Sequence, residues 1–263
     1  MEEFLILLAM GVGAGALGSL VGAGGGFLLV PALLLMYPEQ ATAQVAAVSL
    51  IVVFFTAFSG SINYAWMQRI DYQAGVAFAV AAAPTAMLGA YLSHYVPRAY
   101  FDPAMALLLV SVAIFLVLRP PQNKAGADGA TSLPQRHLGP RGLSLGCVLN
   151  AYIGLLSGLM GIGGGVVGVP ILVKVLRFSP HVAAATSLFA LTITAFCGVL
   201  VHVVHDRLSQ LGDIALFLAM GVLVGAQLGP KISTHLKGTG LLRVLAVVLG
   251  CVGGRILWST FFD

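Results

Sequence analysis

Apolar residues along this chain come in long runs separated by short polar breaks. Four runs precede a polar stretch and four follow it. The first four, segments A to D, cover residues 4–37, 42–67, 72–96 and 101–118; the second four, A′ to D′, cover 142–176, 180–204, 211–231 and 240–260. Runs of roughly 18 or more apolar residues predict transmembrane helices. Segments B, C and D and their counterparts each suit one helix at 1.5 Å per residue. Between the halves, residues 119–141 are rich in Gly, Pro and basic residues and predict a loop.

Segments A and A′ are each interrupted, and in the same way. Gly15, Gly22, Gly24, Gly25, Gly26, Val30 and Pro31 all recur 139 positions later, as Gly154, Gly161, Gly163, Gly164, Gly165, Val169 and Pro170. The match continues beyond the glycines. Ala46-Ala47-Val48-Ser49-Leu50 aligns with Ala184-Ala185-Thr186-Ser187-Leu188, Gly60 with Gly198, Arg69 with Arg207, and Gly89-Ala90 with Gly225-Ala226. The chain therefore reads as two copies of one unit: a first repeat over 1–118, a linker over 119–141 and a second repeat over 142–263.

Segment A has about 18 apolar residues before its glycines and about 11 after them. It reads as one broken helix, two crossings or a re-entrant hairpin, and charge helps to separate these. With one crossing, the basic residues divide seven against six across the membrane. With two crossings or a hairpin, Arg69, Arg119, Lys124, Arg136, Arg141, Lys174, Arg177, Lys231, Lys237 and Arg243 share one side, leaving only Arg98, Arg207 and Arg255 opposite. The second division follows the positive-inside rule. It places the linker in the cytoplasm and both termini outside. It also inverts the second copy, a plan found among secondary transporters. The expected fold is an all-α integral membrane protein of two inverted repeats, each a glycine-broken hairpin plus about three transmembrane helices. The hairpin is the preferred form of A and A′, and the two-crossing form keeps the same sidedness.

Composition agrees. Of 263 residues, 59% are hydrophobic and 8% charged, and the mean hydropathy is +1.00; a soluble domain carries about 25% charged residues. The net charge of +4 resides in loops and implies no nucleic-acid partner. Cys147, Cys197 and Cys251 lie in apolar segments without metal-ligand spacing, so no metal or cofactor is expected. The N-terminus has no basic region of the kind that opens a cleaved signal peptide.

Three consecutive glycines inside a membrane segment each cost about 1 kcal/mol of helix stability relative to alanine. Gly24, Gly25 and Gly26, like Gly163, Gly164 and Gly165, permit a tight reversal with positive φ. New helices are expected from Phe27 and Val166, with unpaired N–H groups and positive dipole ends at the reversal. Two such ends meeting near the midplane would make an anion site without a lysine or arginine. The outer glycines suit close helix packing instead. Ser49, Thr186 and Ser187 are neutral donors at matching places, available to a ligand or to helix carbonyls. His202, Asn63 and Gln227 are candidates for a proton or polar role. Neither a phosphate loop nor a Gly-x-Ser-x-Gly elbow is present, and no residue cluster pairs a nucleophile with a base, so an enzyme is not expected. No Asp or Glu lies deep in any segment, so a carboxylate relay is not evident.

The duplicated glycine motif with its following proline, the Ser-Leu pair opening B and B′, and the Gly-Ala pair in C and C′ resemble the TauE/SafE sulfite exporter family, also called TSUP. The resemblance covers nearly the whole chain. The second motif copy is closest to the family pattern, and the first departs at Leu20, Val21 and Ala23. It implies a bacterial or archaeal inner-membrane permease for small sulfur-containing anions such as sulfite, thiosulfate, sulfoacetate or other organosulfonates. Alternating access is the mechanism expected, with a proton favoured over sodium as any coupling ion. An anion channel using the same site and a non-transport membrane assembly subunit are the alternatives. Oligomeric state leaves no signature in the sequence.

Overall fold

The computed structural model describes residues 2–37, 39–118, 139–205, 212–235 and 238–262. Residues 119–138 of the expected linker, with Arg119, Lys124 and Arg136, lie outside the described residues, as do Arg207 and Lys237. Ten α-helices are described: α1 (Glu2–Val21), α2 (Gly26–Met36), α3 (Thr42–Trp66), α4 (Tyr72–Leu92), α5 (Arg98–Leu118), α6 (Pro140–Met160), α7 (Gly165–Lys174), α8 (Pro180–Val204), α9 (Gly212–His235) and α10 (Gly238–Phe262). A single 3-10 turn, Ser93–Tyr95, extends α4. There is no strand among the described residues.

Helix boundaries follow local chemistry. The Asp71 side chain accepts from Ala74 N at 3.0 Å and caps α4. Gln44 accepts from Ala41 N at 3.2 Å at the start of α3. Pro180 opens α8 in the first turn, where its missing N–H costs nothing. Segments A and A′ each become a long helix followed by a short one. Seven helices, α1 among them, are long and apolar enough to cross a membrane; α2 and α7 are shorter apolar helices. At 1.5 Å per residue the two short helices reach only ~15 Å, half a hydrocarbon core. The last carbonyls of α2 are met from outside, Arg98 Nη2 donating to Leu34 O at 2.7 Å while Arg98 Nε pairs with Asp102 at 3.3 Å. A cation at a helix C-terminus also suits the dipole.

The halves do not pack as separate bodies. The most extensive contacts join α1 to α9 and α4 to α6, so each half covers the long arm of the other's hairpin. The contacts also fix direction. Gly11, Gly15 and Ser19 of α1 meet Leu218, Val222 and Gly229 of α9 in the same order. Ser59 and Asn63 of α3 bond to Leu223 O and Gln227, so α3 runs the same way. In the other group, Gly154 and Gly158 of α6 follow Ala82 and Ala86 of α4. The ring pairs Tyr72–Phe189 and Tyr91–His205 align α8 with α4. The two groups oppose each other, because Leu50 of α3 lies by Gly198 of α8 and Gly60 by Leu188. Helices α5 and α10 are likewise antiparallel, with Ala113 by Gly250 and Leu109 by Gly253. Interchanging the halves thus exchanges the α1/α9 and α4/α6 pairs and returns the α3/α8 and α5/α10 pairs to themselves.

Both seams depend on backbones lying together, as small residues allow between membrane helices. A β-carbon on Gly225 would sit 2.1 Å from Val12 O, and one on Gly158 would sit 2.0 Å from Ala86 O.

Candidate functional site

The two glycine reversals meet in the middle of the molecule. Val53 lies halfway along α3, and β-carbons built on Gly24 and Gly163 would both touch its side chain, at 2.9 and 3.0 Å. The tips also touch each other. A β-carbon on Gly165 would lie 2.0 Å from Gly22 O and 2.6 Å from Ala23 Cα; one on Gly26 would lie 2.7 Å from Gly161 O. At these points the tips are in backbone contact, so the space expected between them is closed there in this conformation.

Backbone geometry corrects the sequence reading of the triplets. Positive φ occurs at Gly22, Gly24 and Gly25 in the first tip, and at Gly161 and Gly163 in the second. Gly26, Gly164 and Gly165 have no such φ. Gly26 and Gly165 are side-chain-free because backbone lies against them. Gly164 has φ −62°, unlike its counterpart Gly25 at +81°, so the two tips are not identical. Ala23 N and Gly24 N donate to Gly18 O at 2.8 and 3.2 Å, closing the end of α1. Helices α2 and α7 begin at Gly26 and Gly165, one residue before the expected Phe27 and Val166.

The other predicted residues separate into distinct places. Ser49 is fully buried and its hydroxyl donates to Gly161 O at 2.6 Å, tying α3 of the first half to the tip of the second. Thr186 accepts from Asp71 N at 3.1 Å, and so secures the α3–α4 turn rather than facing a tip. Ser187, the counterpart of Ser49, makes no such bond and lines a small cavity beside Gly164. Asn63 and Gln227 are brought together: Asn63 Nδ2 donates to Gln227 Oε1 at 2.5 Å, and Gln227 Nε2 donates to Ser59 Oγ at 2.6 Å. That chain ties α3 to α9. His202 is fully buried in the last turn of α8. Its counterpart Tyr64 is equally buried and donates from its hydroxyl to Ser19 O at 3.3 Å.

The cavity beside Gly164 measures about 20 Å³. Its polar wall consists of Asn150 and Ser157 from α6 with Ser187 and Thr194 from α8, and Phe78, Ile153 and Leu172 supply apolar wall. Sequence reasoning missed Asn150, Ser157 and Thr194. A signal for Ser157 existed in the mismatch between motif copies, since the first has Gly18 there. A larger recess of about 290 Å³ between α3 and α9 is lined only by apolar residues and glycine.

Substituting Ser49 tests the link between the halves. Ser49→Ala leaves the Gly161 carbonyl buried without its donor, an expected loss of about 1–3 kcal/mol. The melting temperature of the purified protein should fall, whereas Ser187→Ala should leave it unchanged. Equal melting temperatures for the two variants would show that the Ser49 bond contributes nothing.

Seven membrane-length helices and two half-length ones define a multi-pass membrane protein. The sequence model for "Sulfite exporter TauE/SafE" matches residues 7–256, and the chain belongs to that family. It is 30% identical to "Probable membrane transporter protein YunE" of Bacillus subtilis over 99% of this chain and 100% of that protein. A Methanocaldococcus jannaschii protein, also described as a probable membrane transporter protein, is 26% identical over 95% of this chain and 96% of its own length. A Xylella fastidiosa protein with that description is 25% identical over 99% and 97%. No solved structure matches the chain significantly.

Proposed function

We propose that this transporter is a secondary carrier that moves a small sulfur-containing anion, such as sulfite, thiosulfate or an organosulfonate, across the inner membrane by alternating access. The observation that carries this reading is the meeting of the two glycine tips halfway along α3, each followed by the N-terminus of a short helix. Those N-termini present unpaired N–H groups and positive dipole ends to an anion. The family's description supplies the sulfur oxyanion class.

The opposed directions of α3 and α8, and of α5 and α10, support inverted repeats over 1–118 and 142–263. The half-length of α2 and α7 supports re-entrant hairpins over two full crossings. With the charge division, this gives a cytoplasmic linker and external termini. The hydrogen-bonded chain through Asn63, Gln227 and Ser59 would hold α9 to α3 as other elements move. A proton is the favoured coupling ion.

Counterflow in proteoliposomes tests the reading. Vesicles preloaded with unlabelled sulfite should transiently accumulate labelled sulfite above its equilibrium level, and uptake should saturate. Accumulation that only reaches equilibrium would indicate a channel. Flux no higher than in empty vesicles for sulfite, thiosulfate and sulfoacetate alike would overturn the proposal.

A further inference from the structure

We infer that the transported anion is held on the second-repeat side of the meeting tips, in the cavity beside Gly164 and the N-terminus of α7, by the hydroxyls of Ser157 and Ser187 with Asn150 and Thr194. This inference rests on the anion-carrier reading above and assigns its binding residues.

Two hydroxyls that open onto the cavity carry it. Ser157 is 2% exposed and Ser187 is 7% exposed, both line the cavity, and neither hydroxyl is among the buried side-chain atoms sealed away without a partner, so what little access each has is to the cavity. Elsewhere in the protein, buried hydroxyls are used: Ser49 on Gly161 O, Thr56 on Val52 O, and Ser93 on Ala90 O. Ser157 and Ser187 instead turn their hydroxyls to one cavity wall, where a guest, water in this conformation, supplies the acceptor that a buried hydroxyl needs. Asn150 commits one amide hydrogen to Gly146 O at 2.9 Å and keeps a second. Thr194 donates back to Ala190 O at 3.2 Å and adds polarity without a charge. No carboxylate lines the cavity. Gly164, on its wall, is the N-cap of α7, so N–H groups without helical acceptors lie beside the hydroxyls. Hydroxyl and amide donors, no cation and no carboxylate suit a small oxyanion.

The first repeat cannot offer the same site. Asn150 and Ser157 correspond to Gly11 and Gly18, which have no side chain and lie against Leu218 O and Gly25 N. Ser187 corresponds to Ser49, whose hydroxyl is committed to the other tip. The different φ of Gly164 and Gly25 marks the same asymmetry. At about 20 Å³ the cavity admits one water, so this conformation is the closed one. Movement of α7 away from α8, or rotation of Phe78 and Ile153, would open it for the anion.

Thermal stabilisation of the purified full-length protein tests the assignment, using sodium sulfite, thiosulfate and sulfoacetate against sodium chloride. A ligand that binds only the folded state raises the melting temperature according to its affinity. At least one sulfur anion should stabilise the wild type more than chloride does. Ser157→Ala and Ser187→Ala should each weaken its apparent affinity about tenfold or more, with the ligand-free melting temperature unchanged because no existing bond is lost. Thr56→Val, the first-repeat counterpart of the Thr194 position, should keep wild-type affinity. If a sulfur anion stabilises the wild type and both serine variants equally, the cavity assignment is wrong and the carrier reading stands. If none stabilises the wild type, and equilibrium dialysis with labelled sulfite also detects no binding, both readings fall.

Discussion

Gly165→Ala should separate the two tips and cost the protein most of its stability margin, whereas Gly164→Ala, one residue earlier, should cost clearly less. The added methyl at 165 would lie 2.0 Å from Gly22 O and 2.6 Å from Ala23 Cα, both backbone atoms of the opposite tip. Backbone cannot rotate aside, so one hairpin must withdraw from the other. Overpacking costs about 1–3 kcal/mol where side chains can yield, and this position belongs at or above the upper end. At Gly164 the methyl meets Ile153 Cγ2 at 2.5 Å, a side-chain atom rather than backbone, but one on a β-branch with restricted χ1 in α6, and φ is already one that alanine adopts; a real but smaller cost than at Gly165 is expected. Melting temperatures of the two variants in detergent, with size-exclusion profiles, separate the cases. Similar melting temperatures would mean that the tips do not meet as described.

The seam between α4 and α6 should be equally intolerant. In Gly158→Val the first added carbon would lie 2.0 Å from Ala86 O and 2.8 Å from Ala90 N, and the branch at Cβ leaves no rotamer that avoids both. Separating the pair would also lose contacts along most of its length, because Gly154 and Gly89 depend on the same approach. An expected loss of about 3 kcal/mol or more would show as failure to accumulate in the membrane or as an early-eluting aggregate. Gly13→Val is the matched control. It lies on a membrane-length helix with nothing within 4 Å of its β-carbon, and wild-type yield is expected. A normal yield of Gly158→Val would show that α4 and α6 are not in close backbone contact.

Much of the fold is legible because polar punctuation in a membrane chain is sparse and unambiguous. Segment B′ and α8 share the same ends, 180 and 204, because Ser179-Pro180 starts the helix and the polar His205 region ends it. The break in segment A is legible because three glycines cannot continue a helix cheaply. Partner choice is not legible. Helices that are apolar on every side carry no stripe pointing to a neighbour, so nothing in Gly11 or Gly15 names α9 as the element that covers them. The role of Ser49 is half legible: its polarity within segment B singles it out, but only the three-dimensional arrangement shows its hydroxyl on the opposite tip. Asn150, Ser157 and Thr194 were passed over because single polar residues in membrane helices usually bond back to their own helix, as Thr194 does.

The exchange of partners between halves bears on how the protein is made. The long arm of the first hairpin, α1, is made well before α9, the helix that covers its glycine face. Until α9 is inserted, that face must rest against lipid or an insertion factor. Contacts so distant in sequence are slow to form, and this one cannot form before α9 has been made. A chain cut short before α9 would expose both the glycine face and the unpaired backbone of its tip, the features by which membrane quality control can tell an unfinished copy from a complete one.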